Sequence, residues 1–159
     1  MKPKALWIED SARLELANLC GPVFFNGHCR LTLAEDVTTA VDLLRSNTYE
    51  AVIVDVRLPP GSDARWRDHY RAAGADKVGA QLGLKLLGWL FGDDRSIYAA
   101  DPPNWLNPDR VGVFTVESRH ELTPVLEPLK IDNYQRKVAD LPDTILNDMI
   151  NRWLGQNAP

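Results

Sequence analysis

Glu9 and Asp10 stand side by side directly after a short apolar run, Ala5-Leu6-Trp7-Ile8, and Asp55 follows a second one, Ala51-Val52-Ile53-Val54. Three carboxylates gathered in one place make the hard, oxygen-rich ligand set that Mg²⁺ takes together with water and phosphate oxygens. A carboxylate can also attack a phosphoryl group to give an acyl phosphate, and most of the catalysis then lies in positioning and charge neutralisation. Two more residues suit the neutralising role: Thr115, after Val111-Gly112-Val113-Phe114, and Lys137, which closes a stretch from Asn133 with Tyr134 three residues before it. Each has a plainer explanation when taken singly. Glu9-Asp10 would favour a helix N-terminus through its dipole, Asp55 would start a turn, Thr115 would be an ordinary strand residue and Lys137 a surface cation. Three acids, a hydroxyl and an amine at four strand ends are harder to dismiss than any one of them.

The elements that position them alternate short apolar runs with helical patterns, the signature of a parallel sheet covered on both faces by helices. In such a doubly wound α/β fold, ligands bind outside the carboxyl ends of the strands. Ala5 to Ile8 reads as the first strand, followed at once by a helix carrying Leu14, Ala17 and Leu19, which Gly21-Pro22 stops. A weaker strand over Cys29 to Leu33 precedes a helix with Val37, Ala40, Val41 and Leu44 on one face. Val56-Arg57-Leu58-Pro59-Pro60-Gly61 is forced into a loop. Leu82 to Phe91 is apolar on nearly every side, which suits a helix held between the sheet and an extra element. Ser118 and Glu121 form a capping box at the start of a helix that Pro124 and Pro128 keep short or kinked. The fifth strand spans about Asn133 to Lys137, and a last helix from about Asp143 to Leu154 turns Ile145, Met149, Ile150 and Trp153 inward.

With 159 residues, 45% of them hydrophobic and 25% charged, the chain suits one domain with a real core, spanning 1–159. A formal net charge of −4 provides no basic footprint for nucleic acid. The apolar run near the start is far too short for a signal peptide or a membrane span, so a cytoplasmic location is expected. Cys20 and Cys29 have neither knuckle nor disulfide-framework spacing and read as reduced structural thiols; His28 beside Cys29 lacks a second pair of metal ligands.

The sequence W-I-E-D at residues 7–10 and V-I-V-D-V-R-L-P-P-G at residues 52–61 resemble the receiver domain of two-component response regulators, from about Ala5 to Leu154 apart from the middle segment. The resemblance implies a five-stranded parallel sheet in the order 2-1-3-4-5. It also implies that Asp55 is the phosphoacceptor, Asp10 a direct Mg²⁺ ligand, Glu9 an indirect or water-mediated one, and the Arg57 carbonyl a backbone ligand. Thr115 would hydrogen-bond the phosphoryl group, Lys137 would pair with it, and Tyr134 would be the switch aromatic. Lys130 competes for the lysine role, but Lys137 lies 22 positions after Thr115, the interval usual in the family, and Lys130 only 15. Val138 stands where the family usually has proline.

The 60 positions between Asp55 and Thr115 are about twice the family's usual number, so residues 62–109 hold a third helix enlarged by inserted segments. That region is expected to act as a lid or partner platform, or only to pack on the third helix. Trp66, Trp89 and Trp105 are expected to pack rather than to bind a cofactor, and Arg65, Arg67 and Arg71 to form an exposed helix face. The leading functional reading is a stand-alone phosphorylation switch. It takes its phosphoryl group from a sensor histidine kinase or phosphotransfer protein and acts on a downstream protein, with a homodimer through the face from the capping-box helix to the last helix as a further expectation. The alternatives are an unphosphorylated interaction module whose insertion covers the site, and a phosphohydrolase. Arg57 occupies the position two after Asp55 where the hydrolase needs a second acid.

Overall fold

The structure, a computed structural model, describes residues 2–156. Five parallel strands, β1 (Lys4–Ile8), β2 (Arg30–Ala34), β3 (Ala51–Val54), β4 (Val111–Thr115) and β5 (Asn133–Arg136), form one sheet in the order β2-β1-β3-β4-β5. Because every pair is parallel, all five carboxyl ends lie along one edge.

Side chains alternate across the sheet and split the core in two. Leu6, Ile8, Val52, Val54, Val111 and Val113 face one cluster, covered by α2 (Val37–Ser46), α5 (Leu82–Phe91) and α6 (Arg119–Leu126). Ala5, Trp7, Ala51, Ile53 and Phe114 face the other, covered by α1 (Cys20–Asn26) and α7 (Ile145–Gln156). Met149, Ile150 and Trp153 of α7 are buried there as expected, with Leu146 beside them, while Ile145 is half-buried. The α7 contact explains a glycine in mid-strand: a Cβ at Gly112 would lie 2.1 Å from the Trp153 ring.

The first helix differs from the sequence expectation. Residues 10–16 fold as hydrogen-bonded turns, a 3₁₀ turn covers Ala17–Leu19, and α1 begins at Cys20, so Gly21-Pro22 opens the helix instead of stopping it. A helix begun after Asp10 would carry Pro22 in its interior, without an N–H and against a carbonyl; in a first turn the missing donor costs nothing. Leu14 is accordingly exposed, and only Leu19 of the three expected apolar residues is buried.

Between β3 and β4 the enlarged region forms α3 (Ala64–Ala72), the one-turn α4 (Lys77–Ala80) and α5, followed by irregular chain to a 3₁₀ turn at Pro108–Arg110. Trp66 and Trp89 are buried in the first cluster. Trp89 donates its indole N–H to the Ala100 carbonyl and meets Tyr98 edge-on at 5.3 Å, and Trp105 packs on Tyr49. Arg65, Arg67 and Arg71 are exposed; Arg65 pairs with Asp63 and lies over the Tyr98 ring, and Arg71 faces Asp68.

The loop after Asp55 is clamped from two sides. Pro59 and Pro60 carbonyls accept the first amides of α2, from Val37 and Thr38, and the Val56 carbonyl accepts the Gly83 N–H at the start of α5. α5 comes so close that a Cβ at Gly83 would lie 2.0 Å from the Asp55 carbonyl oxygen. Gly83→Ala is therefore expected to destabilise the fold by about 1–3 kcal/mol through overpacking, read as a lowered denaturation midpoint with an unchanged slope.

Candidate functional site

The sheet ladders run one residue past three of the strands. Glu9 N–H donates to the Ala34 carbonyl, Asp55 N–H to Ile8 and Lys137 N–H to Thr115. Side chains leaving β1, β3 and β5 are therefore held in register at one edge. Glu9 and Asp55 are buried and Asp10 is half-buried, and a carboxylate oxygen from each lies within 4.8 Å of the others. Lys137 Nζ sits between two of them, 2.5 Å from Glu9 Oε2 and 3.1 Å from Asp55 Oδ2. Lys130 is exposed in the left-handed turn before β5.

These residues line an open cleft of about 560 Å³, whose walls include Ser11, Arg57, Val116 and Val138 and, from the enlarged region, Asp76 and Lys77. Arg57 offers its backbone N–H to Asp55 Oδ1 at 3.4 Å, while its guanidinium pairs with the buried Glu117 at 2.9 Å. Thr115 is fully buried with its hydroxyl unpaired, and Val116, not Thr115, forms the cleft wall at the end of β4. Tyr134 is half-buried beside that segment, donating its hydroxyl to the Glu117 carbonyl under the Arg119 guanidinium.

The structure thus brings Glu9, Asp10, Asp55 and Lys137 together, holds the Arg57 backbone beside Asp55, and keeps Thr115 and Tyr134 one layer behind. Lys77 and Glu117 are the additions. Lys77 Nζ lies 2.5 Å from Asp10 Oδ2 although 67 positions separate the two residues. Such a contact has no local sequence signal; Glu117 could have been sought as an acid two places after the strand-end hydroxyl.

Electrostatically, burial dominates at this edge even though Lys137 and Lys77 pair with its acids. Burial, reinforced by the neighbouring Asp55, pushes the Glu9 carboxyl up to about 8 against the opposing pull of Lys137. The hydrogen bond from Lys77 to Asp10 raises the Lys77 ammonium. Three hard oxygen donors converging at this spacing suit a divalent cation such as Mg²⁺, and among the described residues this is the group able to hold one. Cys20 and Cys29 are free, buried and raised by that burial, consistent with structural thiols.

No family model matches the sequence, and no curated protein matches it either. Solved structures do. The receiver domain of the Francisella response regulator 1452 is 18% identical with a TM-score of 0.62, over 99% of this chain and 100% of that one. The non-phosphorylated HemR receiver domain from Leptospira biflexa is 17% identical with a TM-score of 0.63, over 99% and 98%. A CheY-like receiver domain protein from Methanospirillum hungatei is 13% identical with a TM-score of 0.62, over 98% and 96%. The chain has the fold of response regulator receiver domains across nearly its whole length. Among the described residues no helix is long and apolar enough to cross a membrane.

The raised Glu9 group gives a pH prediction for the metal-free protein. A carboxyl that binds its proton more tightly when folded stabilises the fold fully below its unfolded value, and that stabilisation fades as pH rises through about 8. Wild type should therefore lose stability relative to Glu9→Gln between the ordinary Glu value and about pH 8, measured as paired denaturant midpoints at several pH values.

Proposed function

We propose that this receiver-fold chain is a phosphoacceptor of a two-component signalling system, in which phosphorylation of Asp55 switches a protein-binding surface. The observation that carries it is the Glu9–Asp10–Asp55 cluster with Lys137 Nζ shared between Glu9 and Asp55. Mg²⁺ held by Asp10 and Asp55, with Glu9 behind them and the Arg57 carbonyl as a backbone ligand, would neutralise phosphoryl oxygens.

This chain's own groups account for the rest. The Asp55 carboxylate attacks phosphorus, forming a P–O bond as the P–N bond to a phosphohistidine breaks, and the imidazole leaves with the electron pair and takes a proton. Lys137, already hydrogen-bonded to the acceptor, is within reach of the new phosphate charge. The buried, unpaired Thr115 hydroxyl is a ready donor to a phosphoryl oxygen. Drawing Thr115 forward would strain Val116 and Glu117, and the Tyr134 hydroxyl bonded to the Glu117 carbonyl would carry that strain to β5 and the α6 face. Donor and target would be proteins: a sensor histidine kinase or phosphotransfer protein upstream, and an effector or a second copy docking through the face from α6 to α7, in the cytoplasm. Residues 1–159 act as one receiver-like unit, with 62–109 as its elaboration.

A second reading, an interaction module that is never phosphorylated, is favoured by one observation: Lys77, from the enlarged region, occupies Asp10. Incubation with Mg²⁺ and a small phosphodonor separates the two. The switch predicts that intact mass gains a single phosphoryl group, lost on removal of Mg²⁺ and in Asp55→Asn. An unmodified wild-type mass under conditions that label a known receiver domain supports the module.

A further inference from the structure

Lys77 is the only ammonium that the enlarged region presents to the acidic cluster among the described cleft-lining residues, and its position is unusual in three respects. It takes the acid that Lys137 leaves free: Lys137 contacts Glu9 and Asp55, Lys77 contacts Asp10. Every carboxylate of the cluster is thereby engaged by a lysine. Next, its tether is thin. α4 is a single turn capped by the Asp76 side chain, both lysine and carboxylate are partly exposed, and the neighbouring Ala75, Asp76 and Val78 face solvent. Finally, the segment is strained at both ends. Gly74 and Ala75 precede it at φ 97° and 54°, and Gln81 follows at φ 46°. Left-handed backbone is disfavoured for a residue with a Cβ, so Ala75 and Gln81 work against the bound conformation. Beyond Gln81 the chain is fixed, because Gly83 is pressed on the Asp55 and Val56 backbone.

We propose that Lys77 is a built-in counter-cation of Asp10 that a divalent cation must displace, so that metal binding releases the Gly74–Gln81 segment from the cleft. The inference rests on the reading of Glu9, Asp10 and Asp55 as a divalent-cation site. A metal ion and the Lys77 ammonium compete for the same Asp10 carboxylate, and like charges so close together repel. Lys77 therefore lowers affinity for the metal and couples its arrival to a conformational change in the enlarged region. Once free, the strained turn relaxes about Ala75 and Gln81, and the cleft opens on the side where Asp76, Lys77 and Val78 now form its wall.

The test is a titration of the full chain with MgCl₂ at low ionic strength, followed by ¹H–¹⁵N amide shifts, in wild type, Lys77→Met and Lys85→Met. Lys85 is an exposed lysine on α5 and controls for a general change in charge. Lys77→Met should bind Mg²⁺ roughly fivefold more tightly than wild type, the upper range for a partly exposed ion pair, and Lys85→Met should not. In wild type the amides of residues 74–81 should shift with the same midpoint as that of Asp55. Equal or weaker binding by Lys77→Met, or equal tightening by Lys85→Met, overturns the competition while leaving the divalent site intact. Absence of binding by both wild type and Lys77→Met removes the site and the inference together.

Discussion

Lys137 Nζ bridges two carboxylates that are almost wholly removed from water, Glu9 and Asp55, and the edge of the sheet is tolerable only with such a cation there. A buried carboxylate without partners would cost several kcal/mol, and two side by side would repel as well. Lys137 offsets part of this, and a proton retained on Glu9 offsets more. The residual demand for positive charge is a property of the fold, since ladder hydrogen bonds at Glu9, Asp55 and Lys137 pin all three backbones at the same edge. The three backbones cannot move apart without breaking the sheet.

The helices serve that arrangement unequally. α2 and α5 grip the loop after Asp55, one through its first amides and the other through the close approach of Gly83, so the Asp55 carboxylate leaves a backbone fixed on both sides. The enlarged region is built on the same framework. Trp66, Trp89 and Tyr98 root it in the core beside α5, while Lys77 reaches over the carboxyl edge to Asp10. The region therefore does both things that extra chain beside a site can do: most of it packs, and one turn of it touches the chemistry.

The strands were legible in the sequence because three of them are dense apolar runs, each closed by a polar residue at the edge, and strand order followed from the family resemblance carried by residues 7–10 and 52–61. Their bounds differ by a residue or so: β2 runs Arg30–Ala34 where Cys29 to Leu33 was expected, and β5 ends at Arg136. The first helix departs from its sequence pattern because Leu14, Ala17 and Leu19 fit a helical period by chance, while Pro22, tolerated only in a first turn, marks where the helix starts. Glu9, Asp10 and Asp55 stood out because each directly follows a buried run, and Lys137 because of its distance from Thr115. Lys77 did not. Its partner is remote in sequence, and its position depends on how α3, α4 and the left-handed residues at Ala75 and Gln81 fold back, which no periodicity encodes.

On the proposed function, the Asp55 carboxylate accepts a tetrahedral phosphoryl group beside a divalent cation and Lys137. Beryllofluoride, which imitates that group on a carboxylate, tests it directly by ¹⁹F NMR. Wild type should show protein-bound fluoride resonances that require Mg²⁺, disappear in Asp55→Asn and weaken in Lys137→Met. Wild-type protein that shows no bound resonances at any Mg²⁺ concentration, or resonances that persist in Asp55→Asn, would contradict it.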